Sequence, residues 1–315
     1  METKSRIYVT GSNEFIGSAI VNILKRDGYE NIVSPGVEPD LRDRASMDGF
    51  FAENKPEYVF LTAGKSAGIV GNTKMPAELM LDNLLIACNV IDSAYRHGVK
   101  KLLYLASSCC YPKHCSQPMK ESDILTGALE QTSEPYAVAK ISGLKLTQSY
   151  KKQYGADFIC GITANIFGPD DNFSIEDSHV IGALIRKIHE AKSRDLEEVV
   201  IWGTGKPRRE FIYVDDLADA CVFIMRSYDD IEPINLGCGE DISIYELSLL
   251  IKKVVDFKGK IVFDPSKPDG MPVKLLDSYK LKKIGWKPAW SFENALVETY
   301  KGFLEKRCGN MSTQK

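Results

Sequence analysis

The sequence predicts an α/β protein: a Rossmann-type, doubly wound parallel sheet with a smaller mixed α/β substrate domain. Three observations predict it. Short apolar runs alternate with stretches of helical periodicity through the first half of the chain. Those runs are apolar on both faces, as parallel strands covered by helices on each side must be. A glycine-bearing turn then joins the first strand to the first helix, the place where such sheets take a nucleotide.

Taken in order, 7–10, 31–34, 58–62, 101–107 and 157–163 read as strands, rich in Val, Ile, Leu and aromatic residues. Between them, 16–26, 45–52, 77–96 and 136–154 carry apolar positions at helical spacing. The stretch 165–173 breaks this alternation and reads as a loop. Beyond it, 179–193 reads as a helix, 199–202 as a short strand, 233–237 as another strand and 244–255 as another helix. The segment 211–220 begins extended and turns helical, with Asp215 as its expected N-cap. The expected division is a coenzyme domain over 1–168 that also receives about 211–240, and a substrate domain from 169–210 and 241–308. The polar tail 309–315 is expected to fray.

Composition narrows the function. The 315 residues allow about two domains, and a net charge of −3 gives no reason to expect nucleic acid or an anionic membrane surface. With 44% hydrophobic residues, disordered and collagen-like classes are excluded. No apolar run approaches the roughly 18 residues of a membrane helix, and the first apolar stretch is too short for a signal segment. Eight cysteines are too few for a disulfide scaffold. The expectation is a soluble, cytoplasmic protein with neither nucleic acid nor membrane as partner.

Four patterns carry chemistry. Gly11 and Gly17 occupy the first and last glycine positions of a G-x-x-G-x-x-G turn, with Glu14 at the middle one. The first glycine permits the tight turn and the last permits close helix–strand packing, leaving the helix N-terminus for a pyrophosphate. A carboxylate at Glu14 repels that group unless its side chain turns away. Second, Tyr136-Ala-Val-Ala-Lys140 sets a phenol and an ammonium one helical turn apart, so that the cation lowers the phenol pKa toward usefulness in proton transfer. Chance supplies such pairs in a chain with 14 tyrosines, and Tyr279–Lys283 is a second. Only Tyr136 follows a strand ending in hydroxyls, Ser107-Ser108, that suit a substrate carbonyl; Tyr279–Lys283 reads as a solvated helix face. Third, Cys109-Cys-Tyr-Pro-Lys-His114-Cys115 has metal-ligand residue types without the spacing of structural zinc, so no metal is expected. Cys109, at the carboxyl end of a central strand, is placed for substrate chemistry, whereas Cys110 and Cys115 read as structural. Fourth, His179 opens a helix, either as a functional group or as a cap, while His97, His114 and His189 read as surface residues.

Together with further stretches, these residues resemble the GDP-L-fucose synthase family of extended short-chain dehydrogenases over nearly the whole chain. The stretches are Ser107-Ser-Cys-Cys-Tyr-Pro-Lys113, Glu134-Pro-Tyr-Ala-Val-Ala-Lys140, Asn165-Ile-Phe-Gly-Pro169, Asp171-Asn-Phe173 with Ser178-His-Val180, Trp202-Gly-Thr-Gly-Lys-Pro-Arg-Arg-Glu-Phe211, Val214-Asp-Asp-Leu217 and Lys267-Pro-Asp-Gly270. The resemblance implies NADP(H)-dependent 3,5-epimerisation and 4-reduction of GDP-4-keto-6-deoxy-D-mannose to GDP-L-fucose. It implies Ser107, Tyr136 and Lys140 as the reductase triad, with Cys109 and His179 as base and acid of the epimerisations. Gly11, Asn13, Phe15, Ile16 and Gly17 fall to the coenzyme turn, and Asp40 and Leu41 to its adenine side. Leu105, Ala106, Ser107 and Ser108 line the coenzyme from the central strand and Lys140 from the helix over 136–154, as do Thr163, Ala164, Asn165, Ile166 and His179 from beyond. Lys187, Trp202, Arg209 and Asp269 match nucleotide-sugar contacts. The family also pairs as a homodimer through the two helices over 77–96 and 136–154.

Two departures bear on the coenzyme. Glu14 replaces a glycine of the family's turn, and Asn13 stands where bacterial members carry a basic residue. The segment 34–40 lacks arginines for a 2′-phosphate, so NAD(H) stands beside NADP(H) as an expected coenzyme. Rival functions are an epimerase/reductase for another GDP-linked 4-keto sugar, a heptose or 3,6-dideoxy sugar, and a dinucleotide-sensing protein without turnover.

Overall fold

Alternating apolar and helical segments condense into a first run of elements: β1 (Ile7–Val9), α1 (Phe15–Arg26), β2 (Ile32–Val33), α2 (Arg44–Asn54), β3 (Tyr58–Leu61), α3 (Ile69–Lys74), α4 (Pro76–Arg96), β4 (Lys101–Ser107), α5 (Glu134–Tyr154) and β5 (Asp157–Thr163). The chain continues through β6 (Asn165–Phe167), α6 (Val180–Ser193), β7 (Glu198–Trp202), β8 (Arg208–Tyr213), α7 (Val214–Ser227) and β9 (Ile234–Leu236). It closes with β10 (Asp241–Ser243), α8 (Ile244–Val255), β11 (Lys260–Asp264), β12 (Val273–Lys274), α9 (Tyr279–Lys283) and α10 (Phe292–Ser312). The computed structural model describes residues 1–33, 38–174, 178–267 and 269–312.

Six strands form one parallel sheet in the order β2-β1-β3-β4-β5-β9. The order turns back between β1 and β3, and ligands of such sheets bind outside the carboxyl ends of the strands at that point. Thr10 and Thr62, expected inside strands, lie just past them and tie the crevice shut at its floor. The Thr62 hydroxyl donates to the Thr10 carbonyl at 2.6 Å, and Thr10 Oγ1 accepts from the amides of Thr62 and Ala63. Helices flank the sheet in pairs, α1 against α7 and α4 against α5.

The packing of α5 on β4 sets the reaction geometry. Leu102 to Leu105 are all buried, and Tyr104 reaches so close to α5 that a Cβ on Gly143 would lie 2.4 Å from its ring. Only glycine permits that approach, which brings the start of α5 beside the end of β4.

A second sheet centres on β8, which pairs with β10 and β12 through Arg208–Glu210 and with β6 through Phe211–Tyr213. β7 and β11 pair separately. Three sequence expectations change here. Residues 165–167, expected in a loop, are strand β6, because Asn165, Ile166 and Phe167 find partners in Phe211, Ile212 and Tyr213. Asp215 lies in the first turn of α7 rather than capping it: β8 runs directly into the helix, and Tyr213 holds the cap position. Helix α10 continues through 309–312 of the segment expected to fray. Ser34, the end of the expected second strand, and residues 313–315 lie outside the described residues.

Candidate active site

Gly11 takes a left-handed φ of 63°, and a Cβ on Gly17 would lie 2.0 Å from the Gly11 carbonyl. The two glycines therefore let α1 start directly on the end of β1. Ser12 Oγ is buried there without a hydrogen-bond partner, a donor and acceptor left for a ligand. The two glycines and the Ser12 hydroxyl fit the pyrophosphate of a dinucleotide, and the Glu14 carboxylate beside Gly11 is the one group of the turn that opposes it. Asn13 is exposed, and Phe15 and Ile16 are half-buried at the helix start.

Glu14 neither caps α1 nor points away from the turn. Its carboxylate folds back so that Oε2 would lie 3.0 Å from a Cβ on Gly11. Burial and then the charge of Glu38 hold its pKa above the ordinary carboxylate value. Glu38 itself accepts from the Gly11 amide at 3.1 Å and the Tyr8 hydroxyl at 2.6 Å. Sequence reading missed Glu38. Residues 34–37 lie outside the described residues, and their sequence, Ser-Pro-Gly-Val, contains no base. Asp40 is exposed and held by Arg42 at 3.0 Å, while Leu41 is buried in the core.

At the other end of the groove, Ser107 closes β4 in register with Thr163. Leu105, Ala106, Ser108, Thr163 and Ala164 are buried, Asn165 Nδ2 donates to the Glu210 carbonyl at 2.7 Å, and Ile166 is half-buried. Ser107 Oγ accepts from the Cys109 amide at 3.3 Å, starting the tight turn that carries Cys109.

Tyr136 and Lys140 share one face of α5. Lys140 is buried, donates to the Leu105 carbonyl at 3.1 Å and lies 5.9 Å from the centre of the Tyr136 ring. Burial pushes its pKa down to about 8. Burial, then the neighbouring Cys109 and Cys110, push the Tyr136 phenol well above its ordinary range, with Ser107 opposing them. The expected lowering of the phenol by Lys140 is therefore corrected: the ammonium is itself short of water and is aimed at a carbonyl. The other pair, Tyr279 and Lys283, has a similar separation of 5.8 Å, but Tyr279 is 66% exposed. Environment, not spacing, separates the two.

Cys109 is half-buried, and Lys274 Nζ lies 3.5 Å from its sulfur. Burial raises the thiol pKa, but the Lys274 charge, Ser107 and Ser133 outweigh it and leave the thiol below its ordinary value. His179 is the N-cap residue of α6, without a side-chain cap bond, so it does not serve as a cap. Burial, then the Lys274 charge, lowers its pKa. The charged contact that the structure gives Cys109 is Lys274. Nothing in its local sequence marks Lys274, since pairing of β12 with β8 is what carries it to the site.

The remaining cysteine and histidine readings resolve individually. Cys110 is buried, Cys115 lies 3.4 Å from Asp123 and His114 is exposed, so the segment's side chains diverge. His189, expected at the surface, is half-buried: its Nδ1 lies 2.9 Å from the Tyr300 hydroxyl, with the ring edge-on to Phe303. His97 is half-buried against the Phe51 ring.

Trp202 is 63% exposed, with Lys267 Nζ 5.7 Å from its ring centre. Arg209 donates to the Met271 carbonyl at 2.6 Å. Asp269 accepts from the Thr204 amide and hydroxyl, both at 2.7 Å, holding the loop after Trp202. Lys187 is exposed on α6.

Residues 7–237 match the NAD dependent epimerase/dehydratase family. GDP-L-fucose synthase 1 of Arabidopsis thaliana is 49% identical over 308 residues, covering 98% of this chain and 95% of its own. A GDP-6-OMe-4-keto-L-xylo-heptose reductase from C. jejuni superposes with a TM-score of 0.91 at 34% identity, covering 97% of this chain and 99% of that one. A GDP-L-fucose synthetase from Naegleria fowleri bound to NADP superposes at 0.88 with 30% identity, covering 98% and 96%.

Proposed function

The chain belongs to the NAD dependent epimerase/dehydratase family, among the GDP-L-fucose synthases, and from that premise we propose how its groove works. The protein is an NADP(H)-dependent enzyme that epimerises GDP-4-keto-6-deoxy-D-mannose at C3 and C5 and reduces C4, yielding GDP-L-fucose. One observation carries the reading: the Cys109 thiol, 3.5 Å from Lys274 Nζ, follows the strand end that carries Ser107 and lies beside the start of α5 that carries Tyr136. A base for carbon acids and a proton donor for a ketone thus serve one substrate.

The 4-keto group acidifies the C3 and C5 protons. Cys109 removes one, and His179 returns a proton from the opposite face; its lowered pKa makes it a ready donor once protonated. The nicotinamide, when bound, supplies hydride to C4. Ser107 orients the carbonyl, Tyr136 delivers the proton to its oxygen and Lys140 holds the ammonium behind the phenol. The turn from Gly11 to Gly17 holds the pyrophosphate; Asp40 and Leu41 serve the adenine side, and Thr163–Ile166 the nicotinamide side. Lys187, Trp202, Arg209 and Asp269 form the nucleotide-sugar side. The coenzyme unit is 1–168 with part of 211–240, supported by β9 joining the parallel sheet and α7 covering α1; the substrate unit is 169–210 with 241–308.

The enzyme is a cytoplasmic homodimer paired through α4 and α5. Supporting this, Leu81 is 56% exposed on α4 and continues into the partly open Leu84 and Leu85, while Tyr95 stacks on Tyr154 at the far end of the two helices. A monomer mass by light scattering at micromolar concentration contradicts it. A second sugar reading, a GDP-linked heptose, is supported by the superposition on the heptose reductase. Incubation with each GDP-4-keto sugar and each reduced coenzyme, following nicotinamide absorbance and identifying the product, decides between them. No coenzyme consumption with GDP-4-keto-6-deoxy-mannose overturns the main reading.

A further inference from the structure

We propose that Lys274 is a positioning residue for the epimerisations, holding its ammonium against Cys109 so that the sulfur stands as a thiolate. The inference rests on Cys109 as the base, and names what makes it one.

The geometry is specific. Lys274 ends β12, and its Nζ lies 3.5 Å from a sulfur 165 positions earlier. The backbone on both sides of the reach is fixed. The Leu275 amide donates to Gln117 Oε1 at 2.9 Å, and the Leu276 amide to the buried carboxylate of Glu210 at 2.8 Å. The Leu275 carbonyl accepts from Met119, in the chain that leads away from the Cys109 turn. The ammonium is thus delivered by a short strand clamped to the same loop that presents the thiol.

Among the described residues, the groups facing Cys109 from each neighbouring element leave Lys274 as the charge beside it. From its own turn come Ser107 and Cys110; from the start of α5, Ser133 and Tyr136; from β12, Lys274. The serines are neutral. Cys110 and Tyr136 are driven toward their neutral forms by burial. The other nearby cation, Lys140, is turned to the Leu105 carbonyl. Burial first, and then that same ammonium, oppose protonation of His179.

A thiol of ordinary pKa is a few per cent thiolate at neutrality, so an adjoining fixed cation raises the fraction of competent enzyme directly. In the step itself the thiolate takes the proton from carbon and becomes a thiol. The carbon–hydrogen electron pair passes into the enolate of the 4-keto group, and Lys274 keeps its own protons throughout.

The test is the pH profile of iodoacetamide alkylation at Cys109 in the full-length protein, read peptide by peptide by mass spectrometry. Lys274→Met keeps much of the side-chain stem and removes the charge; Lys274→Arg keeps the charge. The expected result is an alkylation midpoint at least about one pH unit higher in Lys274→Met, equivalent to roughly tenfold slower labelling near neutrality. Lys274→Arg restores most of it, and all three proteins keep the same far-ultraviolet circular dichroism. Deuterium uptake at C3 and C5 of the ketone shifts to alkaline pH in parallel. An unchanged Cys109 profile in a Lys274→Met protein with the parent's circular dichroism overturns the proposal. The base reading fails separately: undiminished deuterium uptake in Cys109→Ser removes Cys109 from the chemistry whatever the alkylation profiles show.

Discussion

The carboxyl ends of β4 and β1, which the proposed function makes the two ends of one coenzyme groove, stand on one sheet and carry opposite charge. Around the end of β4, two lysines attend a thiol and a phenol: Lys274 on Cys109 and Lys140 beneath Tyr136. Around the end of β1, two carboxylates crowd the glycine turn: Glu14 over Gly11, and Glu38 on its amide. The difference teaches which demands are strict. A proton must leave and arrive at defined atoms, so the reaction end needs each group in place. The adenosine end needs only to hold its ligand, and a ribose hydroxyl can be met by a carboxylate where a 2′-phosphate calls for a cation.

The sharpest way to break this comparison is at the reaction end. Tyr136→Phe keeps the ring and removes the proton donor, so turnover falls by roughly two to four orders of magnitude while coenzyme binding, measured by calorimetry, stays the same. Tyr279→Phe is neutral in the same assay, because that phenol stands in solvent. The reverse pattern assigns the chemistry to the wrong pair.

Gly17→Ala tests the feature that the two ends share. Its methyl would meet the Gly11 carbonyl, so α1 must shift at a cost of about 1–3 kcal/mol. A lower melting temperature and roughly tenfold weaker or worse binding of both coenzymes follow. Unchanged affinity shows that the turn does not carry the pyrophosphate.

A smaller effect is expected at the adenosine end. NADPH is used, but its advantage over NADH stays below roughly a hundredfold, about 2.8 kcal/mol, because residues 34–40 contain no arginine and Glu38 opposes the phosphate. Glu38→Gln widens the advantage by roughly threefold to tenfold by removing that repulsion. Dissociation constants for NADP+ and NAD+ check both; a larger parent advantage means that another cation reaches the phosphate.

The smallest effect lies outside the groove. His189→Ala loses the link to Tyr300 and about 1 kcal/mol of stability, seen as a lower melting temperature with turnover intact. A catalytic loss there gives His189 a role that the groove does not require.

What was legible in the sequence follows from where each signal lives. Strands 101–107 and 157–163 have the bounds read from their apolar runs, since burial on both faces is written in consecutive residues. The pairing of Tyr136 with Lys140 was legible because one helical turn separates them. Strand β6 was not, since Asn165–Phe167 becomes a strand only through β8, more than forty residues on. His189 looked solvent-facing because Tyr300 is 111 residues away, and Lys274 was silent for the same reason. The phenol pKa was misread because spacing records a cation's proximity but not its desolvation. The effect of Glu14 was left open, since only the fold decides whether its side chain turns out or, as here, back over Gly11.

The most direct test of a shared groove with divided labour is the reaction in heavy water with NADPH, run on the parent protein and on Cys109→Ser. The parent is expected to form GDP-L-fucose carrying deuterium at C3 and C5. Cys109→Ser, with Ser107, Tyr136 and Lys140 intact, is expected to take up little deuterium and to reduce the unepimerised ketone slowly to a GDP-6-deoxy sugar of the D series. Deuterated GDP-L-fucose from Cys109→Ser at the parent rate contradicts the account.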